Sequence, residues 1–314
     1  MRFVLVFAVA ALALGLLACS GTISQAPEAD DQDDEGALIP WSVLSGKIAY
    51  IRPSYGSTFG SHLFVIDSSL REVRFITGGA GERFLSVAWG SATGLIVFAD
   101  YQHEDGFWQL SALHPDSTSP ESIFPANGDC NYPVWSPDGR LTYWFNGPSP
   151  HAKELRIEGQ PFLTSMECNQ TRAAWSPDGR YLVVSMRDTL SQGSLFRVDT
   201  YDTTISLLHG ASGEWNAEIF YSPIYSPDGQ SIAFTRAGSS VFNQSELWIM
   251  AADGSNPVAL TTGHYDWYPA WSPDGNYIMF QRGITAAGLY LLELATSETT
   301  TITMYEGAFP AWVP

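Results

Sequence analysis

The sequence Ser-Pro-Asp-Gly occurs four times in the chain, each time after an aromatic residue and before a short β-type run. The copies begin at Ser136, Ser176, Ser226 and Ser272. Proline presets the second turn position, aspartate suits the third, and glycine accepts the positive φ that returns the chain. Apolar runs on both sides make this a hairpin signal, and four copies at near-regular spacing predict an internal repeat.

Two degenerate copies complete the series. Ser86–Trp89 leads into the apolar run Leu95–Phe98 with changed turn residues, and Phe309–Pro314 matches Tyr268–Pro273 before the chain stops. We call the aromatic residue that precedes each turn the aromatic mark. The six marks are spaced 40 to 50 residues apart and are Trp89, Trp135, Trp175, Tyr225, Trp271 and Trp312. Residues 41–314 therefore divide into six units of about 46 residues.

Each unit contains four short β-type runs, and no stretch shows a helical period of useful length. Six units of four strands predict an all-β fold, a six-bladed β-propeller of four-stranded blades. The C-terminal unit stops in its turn, and the missing half lies near the N-terminus, where Gly46 precedes the apolar run Lys47–Ile51. We therefore expect the C-terminal strand Phe309–Val313 to complete the N-terminal blade as its innermost strand and to close the ring.

The repeat resembles that of the TolB-like family of six-bladed propellers, also described as WD40-like or PD40 repeats. The family repeat reads roughly Pro-Ala-Trp-Ser-Pro-Asp-Gly before an apolar strand, and Pro269–Gly275 match it fully. The segment Leu247–Gly254, which ends in Ala-Asp-Gly, is also similar to the family's third strand and turn. The resemblance covers residues 41–314 and implies the propeller fold. It leaves the function open, because propellers host both binding and catalysis.

The first 40 residues have the pattern of an export signal followed by a tether. Arg2 precedes the uncharged apolar run Phe3–Ala18, which is short for a membrane-spanning helix and typical of a signal peptide. The residues Leu16–Cys19 resemble a bacterial lipobox, which predicts removal of residues 1–18 and lipidation of Cys19; ordinary secretion with cleavage nearby is the alternative. Residues 19–40 are polar and acidic, which predicts a disordered tether. We expect an exported, membrane-anchored lipoprotein on the extracytoplasmic side of the cell envelope.

The charge balance restricts the partner. The chain has 33 acidic and 15 basic residues and a net charge of −18. Phosphate binding needs a basic surface, so this composition argues against nucleic acid. A protein or peptide with a basic surface is favoured instead, and we expect the chain itself to be a monomer.

Two cysteines remain after Cys19. Cys130 and Cys168 precede adjacent aromatic marks at nearly equivalent distances, and an exported compartment permits oxidation. We predict a disulfide between the third and fourth blades, with two buried thiols as the alternative.

The loops that precede the inner strands differ between units, whereas the Ser-Pro-Asp-Gly turns on the opposite face are alike. Binding concentrates on variable loops of a rigid scaffold. We therefore predict that acidic and aromatic loop residues bind the partner: Glu82, Asp129, Glu167, Glu214, Trp215, Glu218, His264, Asp266, Trp267 and Glu306. The alternatives are solvated loop residues without a ligand, or a cation such as calcium held at the channel. We assign no catalytic residue, no metal ligand and no cofactor.

No Gly-x-Ser-x-Gly elbow, His-Glu-x-x-His motif, phosphate-binding glycine loop or zinc spacing occurs in the chain. The favoured interpretation is a non-enzymatic, lipid-anchored propeller that binds a protein or peptide. The alternative is a carbohydrate-active lyase or hydrolase that uses the loop carboxylates, with or without a metal. The resemblance extends to oligogalacturonate lyases, which hold a metal near grouped histidines. The loop histidines of this chain are instead scattered: His103, His151, His209 and His264.

Overall fold

The computed structural model describes residues 40–54, 60–80, 82–102, 106–123, 127–147, 153–164, 172–187, 193–210, 218–238, 244–283, 287–302 and 307–314. These residues form six four-stranded antiparallel sheets, which confirms the predicted all-β, six-bladed propeller. Within the same ranges, no helix is long and apolar enough to cross a membrane. The predicted signal peptide, Cys19 and all but the last residue of the tether lie outside the described residues and stay predictions.

The blades follow chain order, and the strands of each blade run from the axis outward. Blade 1 contains β1 (Lys47–Ser54), β2 (Gly60–Asp67) and β3 (Glu72–Ala80). Blade 2 contains β4 (Phe84–Trp89), β5 (Ile96–Gln102), β6 (Phe107–Leu113) and β7 (Glu121–Ile123). Blade 3 contains β8 (Asp129–Trp135), β9 (Leu141–Asn146), β10 (Lys153–Ile157) and β11 (Gln160–Thr164).

The second half of the chain repeats this order. Blade 4 contains β12 (Ala174–Trp175), β13 (Tyr181–Arg187), β14 (Gly193–Asp199) and β15 (Ile205–His209). Blade 5 contains β16 (Ile219–Tyr225), β17 (Ser231–Ala237), β18 (Ser245–Ala251) and β19 (Val258–Ala259). Blade 6 contains β20 (Asp266–Trp271), β21 (Tyr277–Arg282), β22 (Gly288–Glu293) and β23 (Thr299–Thr301). The last strand, β24 (Ala308–Val313), pairs antiparallel with β1 and is the innermost strand of blade 1.

The apolar cores lie between blades. In β5, Ile96 and Phe98 pack against blade 1, whereas Val97 and Ala99 pack against blade 3. This alternation follows from the two-residue period of a strand, and it explains why the strands are apolar on both faces. Six such clusters join blades 1 and 2, 2 and 3, 3 and 4, 4 and 5, 5 and 6, and 6 and 1.

The four Ser-Pro-Asp-Gly segments form the predicted turns. In the copy at Ser176, the amide of Gly179 donates to the carbonyl of Ser176 at 2.9 Å, and Gly179 has a φ of +71°. The Ser176 hydroxyl donates to Asp178 at 2.5 Å and accepts from the amide of Tyr181 at 2.8 Å. The aspartates of these turns thus stabilise the hairpin, as the turn chemistry predicts.

Candidate functional site

The residues predicted to bind a partner belong to the face where the inner strands begin. The structure describes six of the ten: Glu82, Asp129, Glu218, His264, Asp266 and Trp267. Glu167, Glu214, Trp215 and Glu306 lie outside the described residues.

Asp266 is the first residue of β20, and its carboxylate is paired within its own blade. The side chain is fully buried, and its two oxygens accept from Nε and Nη2 of Arg282 at 2.7 and 2.9 Å. The guanidinium of Arg282 also lies over the rings of Phe280 and Tyr290, 5.1 and 5.0 Å from their centroids. Bidentate geometry and burial make this pair a structural element of blade 6. Because the Asp266 side chain has no exposed surface, a partner at the surface would not contact it directly.

Glu218, just before the inner strand of blade 5, is also paired with an arginine of its own blade. It accepts from Nε of Arg236 at 3.1 Å and from Nη2 of the same residue. Arg236 also lies 3.6 Å from Glu246 and packs over Trp248. Burial lowers the pKa of the nearby His209, which keeps this imidazole neutral at pH 7.

The remaining described residues of the face differ in exposure. Asp129 is half-buried and accepts from the backbone amide of Trp108 at 2.9 Å. Glu82 and His264 are exposed. Trp267 is half-buried, and its ring lies 5.8 Å from that of Tyr221 on the neighbouring blade. The described face therefore offers exposed polar residues beside an aromatic pair, while three of its carboxylates already have partners.

Cys130 is buried in the core between blades 2 and 3 and has no disulfide partner among the described residues. Burial raises its pKa to about 12, so the thiolate is disfavoured near neutral pH. Cys168 lies outside the described residues, and the disulfide between the two cysteines stays a prediction.

A second group of residues lies around the propeller axis. Each occupies the position three residues before an aromatic mark. The six are Ser86, Tyr132, Arg172, Ser222, Tyr268 and Phe309. All except Arg172 have a positive φ, between 46° and 55°, at a register shift in the inner strand. Such bulges redirect a side chain out of the regular alternation of the strand.

The bulges also have a sequence cause. Four of the five are followed by a proline, which has no amide to donate to the next strand. The prolines are Pro133, Pro223, Pro269 and Pro310. The missing donor disfavours regular pairing at this point of the four strands, which is where their register shifts.

Side chains of this group connect blades that lie across the ring. Arg172, in blade 4, donates from Nη1 to the carbonyl of Pro310 in blade 1 at 3.1 Å, and from Nη2 to the carbonyl of Val87 in blade 2 at 3.2 Å. Tyr132 of blade 3 and Tyr268 of blade 6 lie close enough for their phenols to influence each other's pKa. Because blades 1 and 4, and blades 3 and 6, are opposite in a ring of six, these contacts cross the central channel.

Burial dominates the electrostatics of the channel. Desolvation lowers the pKa of Arg172 to about 10 and raises the pKa of both Tyr132 and Tyr268. At neutral pH the guanidinium therefore remains charged and the phenols remain neutral. Sequence reasoning missed this group, although aligning the six units on their aromatic marks would have placed all six residues in one column.

The opposite face has a cleft of about 310 Å³ between blades 4 and 5. It is lined by residues that include Tyr181, Arg197 and Tyr225. At the interface between blades 3 and 4, Arg140 covers the mark Trp175 and donates to the carbonyl of Gly179. The matching residue of the next unit, Arg180, instead pairs with Asp199 at 2.8 Å. At the cleft the mark is a tyrosine, Tyr225, instead of a tryptophan, and Arg180 is not among the lining residues.

Among the described residues, no group of three or more His, Cys, Asp or Glu side chains could hold a metal ion. Two of the four described carboxylates of the variable face, Glu218 and Asp266, each bind an arginine of their own blade. The described geometry thus shows two ion pairs at separate blade edges, without a shared carboxylate site.

Comparison with known proteins agrees with the architecture. An uncharacterized protein of Agrobacterium fabrum is 32% identical over 39% of either chain. The Tol-Pal system protein TolB of Rhizorhabdus wittichii is 40% identical over 26% of this chain and 18% of its own length. The alignments therefore span well under half of these relatives. The crystal structure of TolB from Acinetobacter baumannii matches with a TM-score of 0.69 over 86% of this chain and 67% of that one, at 18% identity, a likeness of fold alone.

The family model described as the TolB beta propeller domain, PD40, matches residues 41–314. This range contains every described strand and all six aromatic marks. The chain therefore belongs to the TolB β-propeller family.

Proposed function

We propose that this protein is a non-enzymatic, lipid-anchored propeller of the cell envelope that binds a protein or peptide through the variable face where its inner strands begin. The observation that carries the proposal is that Asp266 and Glu218 of this face are held by Arg282 and Arg236. Glycoside hydrolysis requires two carboxyl groups at a fixed separation on either side of one bond. Carboxylates that are each paired with a separate arginine stabilise the blade edges. The exposed loop residues are then the ones that contact the partner.

The chemistry of the face supports a protein partner. The Trp267–Tyr221 pair spans blades 5 and 6, and aromatic side chains are enriched at protein interfaces. Glu82 and His264 are exposed on the same face. The net charge of −18 favours encounter with a basic surface over an acidic one. Two relatives carry the name Tol-Pal system protein TolB, which supports a partner within an envelope assembly.

The location is inferred from the N-terminal sequence. The apolar run after Arg2 and the residues Leu16–Cys19 support export and lipidation at Cys19. Metabolic labelling with a radioactive fatty acid tests the anchor. We expect label in the wild-type protein and none in a Cys19→Ala variant. Labelling of both proteins, or of neither, would contradict this part of the proposal.

Partner binding is tested by crosslinking in living cells and capture of the full-length protein. The test variant combines Glu82→Gln with Glu214→Gln on the variable face. The matched control combines Asp202→Asn with Glu298→Gln, which removes two exposed charges from the opposite face. We expect the test variant to lose most of a crosslinked partner that the wild type and the control retain.

Two outcomes would count against a binding protein of this kind. Equal capture by the test and control variants would show that the partner does not use the acidic residues of this face. Cleavage of an oligosaccharide by the purified protein, abolished in the test variant, would favour the carbohydrate-active alternative.

A further inference from the structure

The cleft between blades 4 and 5 contains an arginine where the other blades bury an apolar residue. In each blade, the residue just before the aromatic mark pairs with a residue of the second strand, which in turn pairs with a residue of the third strand. The six third-strand residues are Val65, Ala112, Ile157, Arg197, Ile249 and Leu291. The five apolar residues pack in the core between their own blade and the next one. Arg197 lines the cleft at the matching position of blade 4.

The guanidinium of Arg197 forms no ion pair or hydrogen bond within the described ranges. Its contact is with the ring of Tyr181, whose centroid lies 5.0 Å from Cζ. Arg180 lies at the same distance from that ring but is also paired with Asp199 at 2.8 Å. The pKa of Asp253 is lowered mainly by hydrogen bonds within its own turn and least by Arg197. Arg197 therefore has its donors available for a ligand.

The hydroxyl of Tyr225 is a second donor of the cleft. This residue is only 8% exposed and lines the cleft. The tryptophan marks of blades 4, 6 and 1 each donate from Nε1 to an acceptor of the chain, whereas the Tyr225 hydroxyl has no hydrogen-bond partner in the described part of the protein. Burial raises the pKa of Tyr225 to about 12, and the nearby positive charge of Arg197 opposes this shift. The phenol therefore keeps its proton at neutral pH and can donate it to a ligand.

Two turn carboxylates complete the lining of the cleft. Asp178 and Asp228 are exposed and lie in the turns of blades 4 and 5. Each accepts through Oδ1 from a serine hydroxyl and a backbone amide of its turn, and Oδ2 has no hydrogen bond among the residues that the structure describes. These hydrogen bonds lower the pKa of both carboxyl groups, so both are ionised at neutral pH. The cleft thus combines one half-buried positive charge with two exposed negative charges.

The cleft has room for a small ligand. Its volume is about 310 Å³. Because a water molecule in the liquid takes up about 30 Å³, this space corresponds to about ten waters and can hold a molecule of amino-acid size. Pro177 and Ala252 add apolar surface to the lining.

We propose that the cleft between blades 4 and 5 binds a small zwitterion, an amino acid with an apolar side chain. Arg197 and Tyr225 donate to its carboxylate, and Asp178 and Asp228 accept from its ammonium group. The two carboxylates would repel a ligand that is only an anion, and Arg197 would repel one that is only a cation. The site lies on the face opposite the partner-binding face, so the inference does not depend on the proposed function.

Binding is measured by ligand-observed NMR titration of the purified full-length protein with phenylalanine. Two matched probes keep the ring but carry one charge each: 3-phenylpropanoate lacks the ammonium group, and 2-phenylethylamine lacks the carboxylate. We expect phenylalanine to bind about threefold more tightly than 3-phenylpropanoate, because the two aspartates are exposed. It should bind about tenfold more tightly than 2-phenylethylamine, which cannot use Arg197.

Two variants test the donors. Tyr225→Phe removes the hydroxyl and keeps the ring in the core between blades 4 and 5, and it should weaken phenylalanine binding about threefold to tenfold. Arg197→Leu restores the apolar residue type of the other five blades. It should abolish measurable binding while its melting temperature stays equal to or above that of the wild type. The controls Tyr201→Phe and Arg71→Gln remove a hydroxyl and a positive charge from exposed residues outside the cleft, and both should bind like the wild type.

Four results would overturn the proposal. The first is no binding of phenylalanine to the folded wild type at about 10 mM. The second is equal binding by the wild type and either Tyr225→Phe or Arg197→Leu. The third is a lower melting temperature of Arg197→Leu, which would assign Arg197 a structural role. The fourth is equal affinity for phenylalanine and 3-phenylpropanoate, which would refute the recognition of the ammonium group.

Discussion

Replacing Asp266 by asparagine should destabilise the propeller far more than the matching change at Glu218. Asp266 is fully buried, and its two oxygens bind one guanidinium in bidentate geometry. Asparagine keeps the shape of the side chain but loses the charge. Arg282 would then remain as a largely buried cation between two aromatic rings, without its counter-ion.

The magnitude follows from the exposure of the two partners. Removing one member of a buried pair typically costs about 3 to 5 kcal/mol of unfolding free energy. The Arg282 side chain is 19% exposed, so water would partly solvate it and the lower value applies. We expect a loss of about 3 kcal/mol, which corresponds to a fall of roughly 6 to 12 °C in melting temperature for a domain of this size.

Glu218→Gln is the matched control. The side chains of Glu218 and Arg236 are 20% and 34% exposed, and pairs near the surface contribute only about 1 kcal/mol or less. Thermal unfolding followed by tryptophan fluorescence would rank the two variants. The double variant Asp266→Asn with Arg282→Gln, which leaves no unpaired charge, should recover part of the lost stability.

If Asp266→Asn melted within about 3 °C of Glu218→Gln, burial would not determine the stability that these ion pairs contribute. The result also affects how binding is tested. If an Asp266 variant lost partner binding, the loss could come from the weakened fold and not from a missing contact. The capture experiment therefore changes Glu82 instead.

Three further predictions concern a glycine, the turns and a thiol. Gly254→Ala should lower the free energy of unfolding by about 3 kcal/mol, because φ is +89° and a Cβ would lie 2.3 Å from a carbonyl oxygen of the neighbouring blade. Gly106→Ala, where φ is +75° and no atom lies within 4 Å of the new Cβ, should lower it by about 1 kcal/mol. Hydrogen bonds from a serine hydroxyl and a backbone amide lower the pKa of Asp228 in the folded protein. Its contribution to stability is therefore complete above the unfolded pKa of 3.8 and is lost as the pH falls through the lower folded pKa. The melting temperature of the wild type should fall below about pH 4, and that of Asp228→Asn should fall less. Burial raises the pKa of Cys130 to about 12, so iodoacetamide at pH 8 should label it only after unfolding.

Each of these has a contradicting result. Equal stability losses at Gly254 and Gly106 would show that the blade contact relaxes freely. An identical acid response in wild type and Asp228→Asn would remove the turn aspartate from the pH dependence. Labelling of Cys130 in the folded protein would contradict its burial, and absence of labelling after unfolding without a reductant would support the predicted bond to Cys168.

The turns and strands could be predicted because their causes are local. Within Ser176–Tyr181, proline, aspartate and glycine each satisfy one condition of the turn, and the serine hydroxyl bonds to residues two and five positions later. The alternation of apolar residues in β5 likewise needs only the two-residue period of a strand. Six repetitions of such a unit then determine the blade count.

The carboxylates of the variable face were placed correctly along the chain, but their partners were not foreseen. Asp266 and Glu218 bind arginines 16 and 18 residues later, at the far end of the adjacent strand. Arg236 and Arg282 both lie eleven residues after an aromatic mark. This equal spacing was the sequence signal that could have identified them as partners of the carboxylates. The sequence prediction treated the loop carboxylates as facing solvent. It did not consider the adjacent strand, whose pairing places an arginine within hydrogen-bond distance of each carboxylate.

The channel could not be predicted at the level of contacts, because Arg172 meets Pro310 and Val87 at sequence separations of 138 and 85 residues. A position that lies near the axis in every unit nevertheless cannot hold the same residue in all six units. Six arginines there would repel one another, and six large aromatic rings would not fit around one axis. The space around the axis limits the total side-chain volume. The chain meets this limit with two serines, two tyrosines, one phenylalanine and one arginine. Packing alone therefore explains why the residues differ between blades, whereas the buried charge of Arg172 is held by its hydrogen bonds to two backbone carbonyls.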